Sequence, residues 1–125
     1  MSFSLNSIRL GGKEVLPLIE GGKGVAISTG ASTGPWAAAG GVGTISAVIA
    51  DTYDEHGNMV PHDYLGASRR DRHDEMIDFS VRGTIDQVRK AWEISKGEGL
   101  ININMLWELG GAQRILHEVL EKTKG

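Results

Sequence analysis

Asn102 and Asn104 stand two residues apart in an otherwise apolar run, Leu100-Ile-Asn-Ile-Asn-Met-Leu106. In a strand, both asparagines share a face with Leu100 and Leu106, while Ile101, Ile103 and Met105 take the other. Two carboxamides on one face of an apolar strand are costly unless they are hydrogen-bonded. A ligand meets that need; so does a satisfied buried amide or an ordered water, and the pattern leaves both readings open. The second candidate is the loop Gly21-Gly22-Lys23-Gly24. Without Cβ atoms its glycines can take φ > 0 and let a ligand or another segment come close. Lys23 there either meets an anionic ligand or is a plain solvent-exposed lysine.

Other chemistries fail residue by residue. A P-loop needs a lysine directly after its last glycine, and Val25 follows Gly24. The dinucleotide fingerprint GxGxxG has only its first half, at Gly22-Lys23-Gly24 and at Gly41-Val42-Gly43, with Ile27 and Ser46 where the third glycine belongs. His56, His62, His73 and His117 lack HExxH spacing and read as solvated side chains. No GxSxG elbow supports a serine hydrolase. Cysteine is absent, which removes disulfides, thiolate metal sites and cysteine nucleophiles together. With 13 Lys+Arg against 16 Asp+Glu, the net charge of −3 gives no basic footprint for nucleic acid. No apolar run approaches the ~18 residues of a membrane span, and the first residues lack the pattern of a signal peptide. A soluble cytoplasmic protein without membrane or nucleic-acid partners is expected.

The elements that position these residues alternate in type. At 125 residues, with 40% hydrophobic and 23% charged, the chain has the size and composition of one globular domain. Ten of its 18 glycines fall within residues 11–43, where they punctuate short elements. Residues 15–20 read as a buried strand, weakened by Pro17. Gly34-Pro35-Trp36 opens a short helix that Gly40-Gly41 stops. Residues 42–50 form a second strand, and the polar stretch 51–67 is an irregular excursion. Ser68 is the expected N-cap of a helical stretch whose Ile77, Val81, Ile85, Val88 and Trp92 share a face. Gly83, followed by the capping-box spacing of Thr84 and Gln87, predicts a break into two helices. Mixed charges at Arg69, Arg70, Asp71, Arg72, Asp74 and Glu75 read as a solvated face. Residues 100–106 are a third strand, and a last helix carries Ile115, Leu116, Val119 and Leu120 on one side. This order implies an α/β fold with a parallel sheet and right-handed crossovers. If the sheet is a (β/α) barrel, the asparagine face points inward, and Asn104 lies nearest the carboxyl end of its strand, where barrel active sites lie.

Three segments carry a family resemblance. Leu18-Ile19-Glu20-Gly21-Gly22-Lys23-Gly24-Val25-Ala26-Ile27-Ser28 resembles the opening strand and loop of the nitronate monooxygenase (2-nitropropane dioxygenase-like) family. Gly40-Gly41-Val42-Gly43-Thr44-Ile45-Ser46 resembles its second glycine motif, and Ile103-Asn104-Met105 the end of its Gly-Val-Asn strand. The resemblance spans roughly residues 15–50 and 97–122, with the excursion at about 51–96 longer than usual. It implies an FMN-dependent TIM barrel that oxidises alkyl nitronates with O₂. It also implies FMN contacts from Gly21, Gly22 and Lys23 through the backbone and from the Asn104 side chain. The histidine spacing, separately, leads to the expectation of no metal site. Relatives in that family reduce thioesters, so an FMN reductase of a thioester or quinone is the alternative. A stand-alone α/β domain that binds a ligand without catalysis is the other.

The sequence departs from the family pattern in two respects. Glu20 and Lys23 replace the usual glutamine and methionine, which changes the field near the flavin; Asn102 falls where glycine is usual. The family's catalytic histidine and its FMN-phosphate glycines come later than any residue here, so no catalytic residue is expected in this chain. A TIM barrel takes about 250 residues, and this chain supplies about three of its eight βα units. Residues 1–125 are therefore expected to be the amino-terminal part of one incomplete barrel. A second polypeptide, separately encoded or produced by cleavage, then carries the remainder, and further oligomerisation is compatible with this.

Overall fold

The computed structural model describes residues 4–124. It is a mixed α/β fold with two small sheets and three helices. Strands β1 (Ile8–Leu10) and β2 (Lys13–Val15) form an antiparallel hairpin whose turn, Gly11-Gly12, takes positive φ at both residues. The expected buried strand over 15–20 is thus divided. Val15 ends β2 in the interior, while Leu18 and Ile19 are exposed at the edge of the other sheet, joined to it by a parallel bridge from Ile19 to Val42. Pro17 lies between the two parts, and with no N–H it extends neither ladder.

Helix α1 (Gly30–Ala38) begins earlier than Pro35 suggests. Thr29 is its N-cap and Ser32 completes a reciprocal capping box, so Pro35 sits inside the helix. Gly40, at φ +91°, turns the chain into β3 (Val42–Ser46), which is shorter than the 42–50 expected. Strand β4 (Leu100–Asn104) pairs with β3 in parallel, from Val42↔Leu100 to Ser46↔Asn104. With residues 18–20 bridged to the other side of β3, three segments run parallel in sequence order, each followed by a helix.

Helix α2 (Arg69–Ser95) corrects the two-helix expectation: it is one uninterrupted helix of 27 residues. Gly83 does not end it. A Cβ there would lie 2.5 Å from the Ala50 carbonyl carbon, so glycine lets the 47–50 segment pass against the helix. Thr84 does not cap anything either: its hydroxyl donates to the Ala47 carbonyl at 3.1 Å. Helix α1 crosses α2 closely at Gly30 and Gly34, where added Cβ atoms would meet Lys90 and Ile94.

The core lies between the sheet and the helices. Ile45 and Ala47 meet Ile77, Val81, Ile85, Val88 and Ala91 of α2, and Ile115 and Val119 of α3 (Ala112–Lys122). Ile101, Ile103 and Met105 pack against this cluster. Full burial of a valine or isoleucine side chain, as at Ile45, Ile115 and Val119, stabilises by about 1.5–3 kcal/mol. Leu120, expected on the same side of α3, is exposed, and Trp92 of α2 is only partly covered. The alternation that turns Ile45, Ile101 and Ile103 toward the helices turns Thr44, Ser46, Asn102 and Asn104 to the opposite face.

Candidate functional site

The three parallel segments end on the same side of the sheet, at Glu20, Ser46 and Asn104. The glycine loop that follows Glu20 folds back over this end. Ser46 anchors it twice: its N–H donates to the Ser28 carbonyl at 3.0 Å, and its hydroxyl accepts the Ala26 N–H at 3.3 Å. Lys23 and Ser28 close the turn reciprocally. The Lys23 N–H donates to Ser28 Oγ at 2.9 Å, and the Ser28 N–H donates to the Lys23 carbonyl at 3.0 Å.

This turn brings Gly22 onto Asn104. A Cβ at Gly22 would stand 2.8 Å from Asn104 Cγ and 2.9 Å from Nδ2, so only glycine admits the carboxamide there. All four expected site residues, Gly21, Gly22, Lys23 and Asn104, therefore occupy one place at the carboxyl ends of the strands. Among the described residues, the N–H groups of Gly21 and Gly22 meet no protein acceptor. Asn102 and Asn104 are both exposed, so neither is the satisfied buried amide that the sequence also allowed.

Glu20 lies beneath the turn and is 5% exposed. Its Oε2 accepts the Thr44 N–H at 3.1 Å, and Oε1 is 3.5 Å from Lys23 Nζ. Thr44 is 4% exposed, and its Oγ1 is buried without a hydrogen-bond partner. Its register partner across the ladder is Asn102. Of the four expected site residues only Asn104 lines the adjoining open cleft of about 270 Å³, with Gly24, Val25, Ser46, Val48, Met105 and Leu106; Gly21, Gly22 and Lys23 lie outside its lining. Its polar groups are a hydroxyl and a carboxamide, and the other side chains are aliphatic or thioether. Such a surface offers neutral hydrogen bonds to a planar ligand edge and apolar contact to a short alkyl group.

The excursion forms a separate polar cluster on α2. His62 Nε2 is 3.0 Å from Asp51 Oδ1, and the imidazole lies on Phe79 with ring centroids 4.2 Å apart. His62 and Asp63 are neighbours in sequence, but the carboxylate that His62 meets is eleven residues away. Gln87 ties this segment to α1, accepting the Gly30 N–H and donating to the Asp51 carbonyl, each at 2.7 Å. Tyr64 packs edge-on to Phe79, and burial pushes its phenol up from the usual 10.0. Among the described residues, no three histidines, aspartates or glutamates gather as a metal site.

The sequence did not single out Ser28, Thr44 or Ser46 as site residues, although all three lie in segments that carry the resemblance. Their roles depend on partners brought together by the fold, and a hydroxyl in a strand carries no local signal of such a partner. Comparison with protein-family models, with curated proteins and with solved structures returns no match.

Proposed function

We propose that this chain is the amino-terminal part of an FMN-dependent oxidoreductase of the nitronate monooxygenase kind, built as a TIM barrel. The observation that carries the reading is the contact of Gly22 with Asn104, formed by two motifs 82 positions apart in the sequence. The residues fit a flavin edge. The N–H groups of Gly21 and Gly22 would serve as donors to a flavin edge, and the Asn104 carboxamide as donor and acceptor. The buried, partnerless Thr44 hydroxyl gives the same face further unmet hydrogen-bonding capacity. FMN, when bound, supplies the electron exchange between an alkyl nitronate and O₂. This chain's part is to hold and orient: Ser28 and Ser46 fix the turn, and Val25, Val48, Met105 and Leu106 would receive the alkyl group.

The cleft is smaller than the ~300–1,000 Å³ of ordinary small-molecule pockets. In this reading the rest of the barrel supplies the remaining walls, the proton-transferring base and the FMN-phosphate site. The open side of the asparagine face, where Asn102 and Asn104 are exposed, is where it joins. The test is anaerobic reduction of the assembled flavoprotein, followed by mixing with O₂ and a short alkyl nitronate. Consumption of nitronate and O₂ together supports the reading. Re-oxidation by a quinone or enoyl thioester, with no turnover of nitronate, would move the assignment to the reductase alternative. Absence of flavin would leave a binding domain.

A further inference from the structure

We propose that Glu20 is a positioning residue for the glycine turn, a role that rests on the flavin reading above. A carboxylate that is 5% exposed is costly unless its oxygens are satisfied. Here the two oxygens take different partners from different elements. Oε2 accepts the N–H of Thr44 in β3, and Oε1 pairs with the Lys23 ammonium at 3.5 Å. The ammonium also reaches the Gly21 carbonyl at 3.4 Å. The resulting chain of contacts, Thr44 to Glu20 to Lys23 to Gly21, encloses the two glycines. Gly21 and Gly22 have no side chains to fix their own conformation, so their geometry is imposed from the flanks. An exposed lysine paired with a carboxylate contributes little to stability by itself. The value of this pair is its place: it holds Gly22 against Asn104 and keeps the ammonium on the turn.

Glutamine at position 20 retains an acceptor for Thr44, whereas leucine retains none. The experiment compares E20Q, E20L and K23M in the full chain together with any polypeptide that co-purifies with it. One readout is FMN affinity by flavin fluorescence quenching, and the other is hydrogen exchange at the Lys23, Ala26 and Ser28 amides that close the turn. E20Q is expected to stay within about threefold of the wild type in both, and E20L to weaken FMN binding and speed exchange by about tenfold or more. E20L matching the wild type overturns the proposal, and so does E20Q losing as much as E20L. If the wild type binds no FMN, the flavin reading falls while the exchange comparison still decides the role of Glu20. If E20L does not fold, K23M carries the test. Its turn amides are then expected to exchange about threefold faster with Thr44 unchanged, and unchanged turn amides overturn the proposal.

Discussion

Gly22 is the residue on which the site's geometry depends most directly. Substitution G22A places a methyl 2.8 Å from Asn104 Cγ, and the carboxamide must move. Both residues are exposed, so the melting temperature is expected to change little. FMN affinity is expected to fall about tenfold or more, and the double variant G22A/N104A to lose less than the sum of the single losses, because the two residues are in contact. Flavin titration of the four proteins checks this. Acid behaviour is also set residue by residue. The Asn58 backbone N–H holds Asp54 below its usual 3.8, hydrogen bonding to Ser68 does the same for Asp71, and the Arg114 guanidinium holds Glu118 below 4.5. Lowered folded values mean stability that is present above the ordinary carboxylate range and lost as pH falls through the lowered values. Urea midpoints are therefore expected to be flat down to about pH 5 and to decline below about pH 4. A midpoint that rises on acidification contradicts the assignment. At this scale the sequence was informative where residue type alone limits the options. Glycines that must admit a neighbour and amides on a strand face could be read directly, but Ser28, Ser46 and the Asp51–His62 pair could not, because their partners are distant in the chain.

The elements show where local signals were outvoted. Gly83 with a following Thr84 has the look of a helix end, yet α2 continues because the flanking apolar positions bury one long face. The glycine is kept for the Ala50 carbonyl that passes it. Substitution G83A gains at most about 1 kcal/mol of helix propensity and is expected to cost about 2 kcal/mol net through the collision. Denaturant unfolding measures it, and a stabilised variant would contradict the packing. At the other end of α2, Ser68 was legible as a cap because a polar residue precedes a helical pattern. Its hydroxyl accepts the Asp71 N–H at 3.0 Å. S68A is expected to cost about 1 kcal/mol in the same measurement. Helix α1 was read too short because Pro35 outweighed the Thr29/Ser32 capping box, which has serine rather than glutamate at its third position. The β1–β2 hairpin was missed because its strands are three residues each, too short for periodicity to register.

In the whole molecule, the three parallel segments bury one face against helices and leave the other polar and partly exposed. From residue 18 onward the alternation of strand and helix was legible, and so was the parallel sense of β3 and β4. Closure of a barrel was not, because it depends on strand pairings beyond the three parallel segments described. Under the proposed function, the face bearing Thr44, Ser46, Asn102 and Asn104 becomes an interior and β4 gains a neighbouring strand. The most direct measurement is native mass spectrometry of the purified material, repeated after denaturation. The expected result is FMN held in the native species and released from the chain on denaturation. A native species that carries no flavin, whatever its oligomeric state, would contradict the flavin reading.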